Sequence, residues 1–554
     1  MTNTSKLTLP SLFVDSVEKF AKETSLVFTG EKNYTYKEMG DDVDLLAGVL
    51  TDLGVQKNDK VALLSTNMPN WGVAFFAISK LGAVVVPILP DFHENEVKTI
   101  IEHSESKLLF VSEGLYKSVN EEASNLIKHM ILVDSFAIVP KGTNATDLNT
   151  LESSLTSPKK AIPQVEIEEE DLASIIYTSG TTGNSKGVML THKNLAWTTQ
   201  QARSLYQVKV EDRFLSVLPL SHSLENTVGF LLAIKNGASV HYLRKPPVAS
   251  VLLPALELVK PTIMLTVPLI IEKVFKAKIL PKFQKSPVMR FLYSLSPIRK
   301  VLHKVAAGKL YKTFGGELNF FGIGGAKLDP NVERFLIEGN FPYAIGYGLT
   351  ETSPLLAGAV GKNRIIGSTG IAMEGVTLRI ANADPITGEG EIQAQGLNVM
   401  RGYYKAPEIT KEVFTEDGWF RTGDRGSFDK NNRLSIKGRI KTMIVGASGE
   451  NIYPEEIESV INKMRFVLES LVVEKKGKLV AMIHLNMEEM EENFKHLKSE
   501  AKQYFNEKSE ETLKEIQKKV NEEVNKFSRI QQVILQPNPF ERTPTKKIKR
   551  FLYA

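Results

Sequence analysis

The chain has 554 residues, 42% of them apolar and 24% charged, with 38 glycines and 25 prolines. At ~150 residues per compact unit this is a globular composition for about three to four units, which excludes a single small module and wholesale disorder. The net charge of +5 is too mild over this length to signal a nucleic-acid partner, and the absence of cysteine removes disulfides, thiolate metal sites and cysteine nucleophiles, so any thiol chemistry must use a thiol that the substrate brings.

The first thirteen residues lack the basic flank and long apolar block of a secretory leader, and a chain without cysteine cannot end in a prenylated one. The longest apolar stretch, 72–90, is broken by Lys80 and ends in proline-rich sequence, so it predicts a buried helix and strand rather than a membrane span. A cytoplasmic location is the expectation. From about residue 60 to 348, β-branched runs at 60–65, 83–88, 108–112, 173–177, 214–220, 263–268 and 320–325 alternate with helix-length segments such as 94–103, 224–235 and 330–337. That is the βαβα order of doubly wound, largely parallel sheet, and the strands are too many for one sheet of usual size, so two stacked α/β units are expected. After about residue 367 the rhythm changes to short strands at 377–382, 390–395 and 434–438, separated by turn residues such as Asp429-Lys430-Asn431-Asn432, which predicts a small β-rich unit. Past Arg439 the sequence is rich in Lys and Glu, with Ile516, Val520, Val524 and Phe527 at helical spacing, and reads as a separate C-terminal α/β unit.

Directly after the strand at 173–177 comes Thr178-Ser179-Gly180-Thr181-Thr182-Gly183-Asn184-Ser185-Lys186-Gly187. Its three glycines let the backbone turn N–H groups inward, five hydroxyls add donors and a lysine adds positive charge, which together make a cradle for a polyanion such as pyrophosphate. It is not the common loop in which lysine follows glycine and precedes Ser or Thr, because Lys186 follows Ser185 and precedes Gly187.

This run resembles the phosphate loop of the adenylate-forming enzymes, with Ser185 where proline is usual. That family includes acyl-CoA synthetases, aryl-CoA ligases and peptide-synthetase adenylation domains. Further motifs follow in the family's order. Leu218-Pro219-Leu220-Ser221-His222-Ser223-Leu224-Glu225 and the stretch from Lys260 to Val274 are similar to the long-chain fatty acyl-CoA synthetase versions. Gly324-Gly325-Ala326, Gly346-Tyr347-Gly348-Leu349-Thr350-Glu351 and Val399-Met400-Arg401-Gly402-Tyr403-Tyr404 come next, then Gly418-Trp419-Phe420-Arg421-Thr422-Gly423-Asp424 and Gly438-Arg439-Ile440-Lys441. The last is Thr543-Pro544-Thr545-Lys546-Lys547-Ile548-Lys549-Arg550. Each motif alone is modest, and the ordered set is specific.

The resemblance implies an α/β fold: a large N-terminal part, 1–438, of two stacked doubly wound sheets plus a small β-rich subdomain, and a smaller mobile α+β part, 439–554, that carries a catalytic lysine. It implies ATP, Mg2+ and coenzyme A as cofactor and co-substrates. Lys186 with Thr178, Ser179, Gly180, Thr181, Thr182 and Gly183 would embrace the β- and γ-phosphates, and Thr178 and Glu351 would flank the magnesium. Gly325, Ala326 and Tyr347 would hold the base, Gly348 and Thr350 would join them in binding the nucleotide, Asp424 would hold the ribose with Arg439 nearby, and His222 would line the acyl and adenylate pocket. Lys547 would bridge the substrate carboxylate and the α-phosphate, with Lys546 as the competing register. Lys441 would be the hinge, and Gly449 would border a pantetheine tunnel. Taken alone, Glu351 reads as a solvated loop carboxylate, Asp424 and Gly449 as turn residues, His222 as a structural histidine and Lys547 as part of a solvated basic tail.

The implied reaction joins a fatty acid, of long chain by its motifs, to AMP and then to coenzyme A. Two rivals stay open: an acyl-AMP ligase that passes the acyl group to a carrier protein, and a nucleotide-binding module without catalysis. Between Lys273 and Lys312 there are eleven Lys or Arg and no Asp or Glu, interleaved with aromatics. This suits a peripheral contact at the inner face of a membrane, the phosphates of coenzyme A, or a solvated helical face. The sequence leaves the oligomeric state open, a homodimer included.

Overall fold

A computed structural model describes residues 6–155, 160–178, 185–445, 451–475, 477–494, 501–543 and 547–554. Two eight-stranded sheets form its bulk. The first runs, in spatial order, Gly402–Tyr403, Lys186–Thr191, Leu172–Thr178, Val84–Ile88, Lys60–Leu64, Leu108–Val111, His129–Leu132 and Ile138–Val139, parallel from Leu172–Thr178 to His129–Leu132 and antiparallel at both ends. The second runs Leu26–Phe28, Ser239–Tyr242, Arg213–Leu215, Ile263–Thr266, Phe320–Ile323, Tyr343–Tyr347, Ala357–Ala359 and Ile371–Ala372, parallel over its first six strands. The stacked α/β arrangement expected from the alternating pattern is therefore present.

Both sheets feed one core. Leu63, Val85 and Ile176 of the first and Phe214, Val240 and Ile263 of the second belong to the same buried cluster, which also takes in the helices Leu9–Lys19, Tyr36–Asp52 and Pro69–Lys80. The stretch 72–90 is the predicted buried helix and strand. Trp71, just before it, and its Phe75 and Phe76 gather around Phe230 at ring-centroid distances of 5.4–5.9 Å, and a Cβ on Gly72 would stand 2.5 Å from Leu26 and 3.0 Å from Phe230. Only glycine allows this approach. Phe230 lies on the helical segment that follows His222, so the central core also fixes the wall of the site.

Two predicted elements differ. The run 214–220 is a strand only over Arg213–Leu215. Beyond it the Asn67 side chain replaces the ladder, its Nδ2 donating to Ser216 Oγ at 2.9 Å and to the Leu218 carbonyl at 2.6 Å while its Oδ1 accepts from Leu220 N at 2.9 Å. The helix at 224–235 opens as wide π-helical turns over Glu225–Leu231 before becoming α-helical over Leu232–Asn236. Such turns displace side chains from regular helical spacing, and they recur at functional sites.

The β-rich unit is an antiparallel sheet of Thr377–Ala381, Gly390–Gln395, Phe420–Phe428 and Leu434–Arg439. Farther along lie a three-stranded sheet of Val467–Lys475, Lys478–Leu485 and Gln532–Leu535 and the helices Pro454–Ile461 and Ala501–Glu523, with Ile516 and Val520 buried as their spacing predicts. The helix ends before Val524 and Phe527. Among the described residues no helix is long and apolar enough to cross a membrane.

Candidate active site

The site lies where several strands of the two large sheets end and the four-stranded sheet comes up against them. In open α/β sheets this is where loops are free to bind ligands. Thr178 ends one strand and Lys186 begins the next, the two facing each other across the antiparallel pair. Ser179, Gly180, Thr181, Thr182 and Gly183 lie outside the described residues, as do Gly449 and Lys546.

Lys186 places its ammonium 5.0 Å from the centre of the Tyr403 ring. The Tyr403 hydroxyl donates to Glu351 Oε1 at 2.8 Å, and burial followed by the nearby Glu351 charge raises the phenol well above its ordinary range. Three residues from distant parts of the sequence thus form one row. Glu351 sits in a short turn, Thr350–Thr352, whose shape is over-determined: Met400 N donates to the Glu351 carbonyl at 2.8 Å, and buried Asn398 donates to the carbonyls of Thr352 and Leu355. Gly348 belongs to the same construction, because a Cβ there would fall 1.6 Å from the Pro354 carbonyl oxygen. That backbone crossing accounts for the glycine before any ligand is considered.

A second row stands beside the first. Asp424 and Arg439 face each other on adjacent strands, with Arg439 Nε 2.9 Å from Asp424 Oδ1, and the Tyr347 hydroxyl donates to Asp424 Oδ2 at 2.8 Å. Asp424 is 5% exposed. Burial raises its carboxyl above the usual range although Arg439 and Tyr347 oppose the shift. For Arg439, burial weighs against the charge, but Asp424 leads a set of acids that more than restores it. Tyr347, expected at the base, is bonded to the residue expected at the ribose.

Gly325 and Ala326 follow the strand Phe320–Ile323 and are exposed, Gly325 with a φ of +87° that favours glycine. His222 is fixed by its own backbone: Nδ1 accepts from Leu224 N at 3.2 Å. Burial, then the positive charge of Lys547, pushes the imidazole down to about 4, so it is neutral at physiological pH. The neighbouring Ser223 hydroxyl reaches Thr350 Oγ1 at 3.5 Å, joining this loop to the Glu351 turn.

Lys547 comes to this place from the far end of the chain. The residue as a whole is exposed, yet the protein packed around its ammonium lowers its pKa, burial first and Arg439 second, with Asp424 and Glu351 pulling the other way. The segment that carries it is no loose tail. Thr543 N donates to the Lys547 carbonyl at 2.7 Å, Arg542 pairs with Glu469 on one flank, and Arg550 pairs with Glu458 on the other while donating to the Val472 carbonyl at 3.3 Å. Lys441 lies exposed in the turn Ile440–Thr442, immediately after Arg439.

The structure therefore brings together Lys186, Glu351, Tyr347, Asp424, Arg439, His222 and Lys547. Tyr403 is the member to which the motif reading gave no role. Nothing in its local sequence separates it from a core tyrosine, and only the fold sets it against Glu351, 52 positions away. Residues 13–404 match the AMP-binding enzyme family. The chain belongs to that family. It is 30% identical over 472 residues to the long-chain-fatty-acid–CoA ligase FadD15 of Mycobacterium bovis, covering 79% of this chain and 75% of that one. It is also 27% identical over 637 residues to the long-chain-fatty-acid–[acyl-carrier-protein] ligase AEE15 of Arabidopsis thaliana, covering 98% and 84%. Its fold is that of ATP-bound MatB from Rhodopseudomonas palustris, with a TM-score of 0.75 at 24% identity over 98% of each chain. The chain is accordingly an adenylate-forming acyl ligase.

Proposed function

We propose that the protein activates a long-chain fatty acid with ATP and transfers the acyl group to coenzyme A. The observation that carries this reading is the convergence of Lys547 with Glu351, Asp424 and Arg439, because nucleotide binding alone would not need a lysine from the end of the chain. The long-chain substrate is supported by the motifs around His222 and by the names of the relatives.

In the first half-reaction a carboxylate oxygen of the fatty acid attacks the α-phosphorus of ATP and pyrophosphate leaves. Two anions must meet, so positive groups aimed at the reacting phosphate lower the barrier. Lys547 is assigned to the carboxylate and α-phosphate, and Lys186 to the leaving phosphates. Asp424, turned by Tyr347 and Arg439, accepts hydrogen bonds from the ribose hydroxyls. The attacking carboxylate is already ionised at neutral pH, so His222, neutral and anchored, shapes the pocket without taking a proton. In the second half-reaction the thiolate of coenzyme A attacks the acyl carbonyl and AMP leaves.

The oxygen donors Thr178 and Glu351 suit Mg2+, and among the described residues there is no cluster of three or more His, Cys, Asp or Glu, which fits an ion held by one or two protein oxygens and the substrate's phosphates. Bound there, it would neutralise charge on the phosphates. We assign residues 1–438 to the larger domain and 439–554 to the mobile one, with Lys441 as the hinge between half-reactions.

A panel of carboxylic acids of graded length, assayed for AMP release with coenzyme A, with acyl carrier protein and with neither, tests the reading. Release that peaks with long acids and is stimulated by coenzyme A supports it. Stimulation by carrier protein alone would transfer the assignment to the acceptor of the Arabidopsis thaliana relative, and no acid-dependent pyrophosphate release at all would refute activation itself.

A further inference from the structure

The site leaves unused the most asymmetric charge in the chain, the eleven Lys and Arg of residues 273–312. In the fold they lie on a run of helices that ends with Pro287–Ser294 and Ser296–Thr313. Two turn inward: Lys276 donates to the Asn462 carbonyl at 3.0 Å, and Arg299 pairs with Glu338 at 2.8 Å. The other nine are exposed, with no ion pair among the described residues.

The apolar side chains of the last two helices are arranged unusually. Tyr293 faces inward, stacked on Phe283 and hydrogen-bonded to His303 Nε2 at 2.8 Å, and His303 is 1% exposed. Those contacts fix the inner side of both helices. Val288, Phe291 and Leu295, at i, i+3 and i+7, stand on the outer side and are 67%, 65% and 39% exposed. Val301 and Val305, each two residues from His303 and so about 200° round the helix from it, are 63% and 56% exposed. Helix Pro287–Ser294 buries none of its residues. An outward apolar ridge set among unpaired cations has no partner among the described residues.

We propose that this pair of helices docks the enzyme on an anionic lipid bilayer, with Phe291 and its aliphatic neighbours entering the boundary between headgroups and acyl chains and the lysines meeting lipid phosphates. Charge selects this occupant. A second copy of the chain joined through the same face would set unpaired cations against one another, and a nucleic acid would leave the aliphatic ridge uncovered. The proposal is independent of the reaction in the cleft.

Co-sedimentation of the full chain with vesicles tests it. Vesicles of phosphatidylcholine containing phosphatidylglycerol should pellet the protein, salt should weaken the binding, and phosphatidylcholine alone should leave it in solution. Lys300→Gln with Lys304→Gln should lower the affinity about 30-fold, at about 1 kcal/mol per lysine. Phe291→Asp should abolish pelleting, and both variants should retain acid-dependent pyrophosphate release. Binding by the Phe291→Asp variant equal to that of the native chain, equal binding to neutral vesicles, or a concentration-dependent dimer dissolved by Phe291→Asp would each overturn the proposal.

Discussion

At the scale of single residues, the distribution of buried charge separates groups that act on ligands from groups that hold the wall. Glu225 belongs to the wall. It is 2% exposed, accepts from the Ser216 hydroxyl at 2.5 Å, and burial pushes its carboxyl up to about 8. Folded, it keeps its proton across the neutral range; unfolded, it ionises near the ordinary value of 4.5. Its contribution to stability is therefore complete below about pH 4.5 and is lost as the pH rises through about 8. Glu225→Gln removes that dependence, so thermal denaturation between pH 5 and pH 8.5 should show the native chain losing a few degrees relative to the variant as the pH rises; parallel curves would contradict the protonated form. Lys547 is the opposite case, a cation whose ammonium lies among the charges of Arg439, Asp424 and Glu351. Lys547→Ala should slow acyl-adenylate formation about 100- to 1,000-fold while leaving thioester formation from preformed acyl-AMP near normal. Stopped-flow assays of the separate half-reactions decide this, and equal loss in both would remove the assigned role. Asp424, Arg439 and Lys547 were legible as residue types in ordered motifs. The bond from Tyr347 to Asp424 and the row from Lys186 through Tyr403 to Glu351 were not, because such partners are set by strand register and loop packing.

At the scale of elements, the alternation of β-branched and helical runs was enough to give two largely parallel sheets, because strands buried on both faces must be apolar throughout. It failed where side chains replaced backbone pairing. Asn67 ends the strand Arg213–Leu215 early, and no local pattern at 214–220 reports a partner 149 residues away. The run of residues at the very end read in isolation as a basic tail, and Arg550 is instead an internal anchor against Glu458. The turn Ile440–Thr442 is where we place the proposed hinge. It follows Arg439 directly, and Thr442 ties it forward by donating to Glu455 Oε1 at 2.7 Å, so the proposed rotation about Lys441 would be concentrated in very few bonds. Proline there would fix φ near −65°. Lys441→Pro should cut overall turnover on the order of tenfold with each half-reaction, measured alone, little changed. Normal turnover would discard the hinge.

At the scale of the whole molecule, the arrangement that sets Lys547 beside Asp424 and Glu351 is held by contacts that reach across from the basic helices. Lys276 donates to the Asn462 carbonyl at 3.0 Å and stands 3.6 Å from Asp329, while Asp329 N donates to Glu272 Oε1 at 2.8 Å. Under the proposed hinge, the rotation that withdraws Lys547 would also break the Lys276 bond, so that bond would favour the arrangement proposed for adenylation over its successor by roughly the net value of one charged hydrogen bond, about 1 kcal/mol or more. Lys276 is far from the reacting atoms in sequence and touches none of the groups assigned to ATP. Its removal should therefore act on the balance between arrangements, beyond the local cost of leaving Asp329 without that cation. Lys276→Ala should slow acyl-adenylate formation about fivefold and leave thioester formation from preformed acyl-AMP unchanged or faster. Measured against Lys547→Ala, the variant keeps a residual rate that rises with saturating ATP and fatty acid, since ligands that bind the closed arrangement restore what the lost bond held. A uniform loss in both half-reactions, insensitive to substrate concentration, would mean that Lys276 supports the fold alone and that the contact with Asn462 has no part in the cycle.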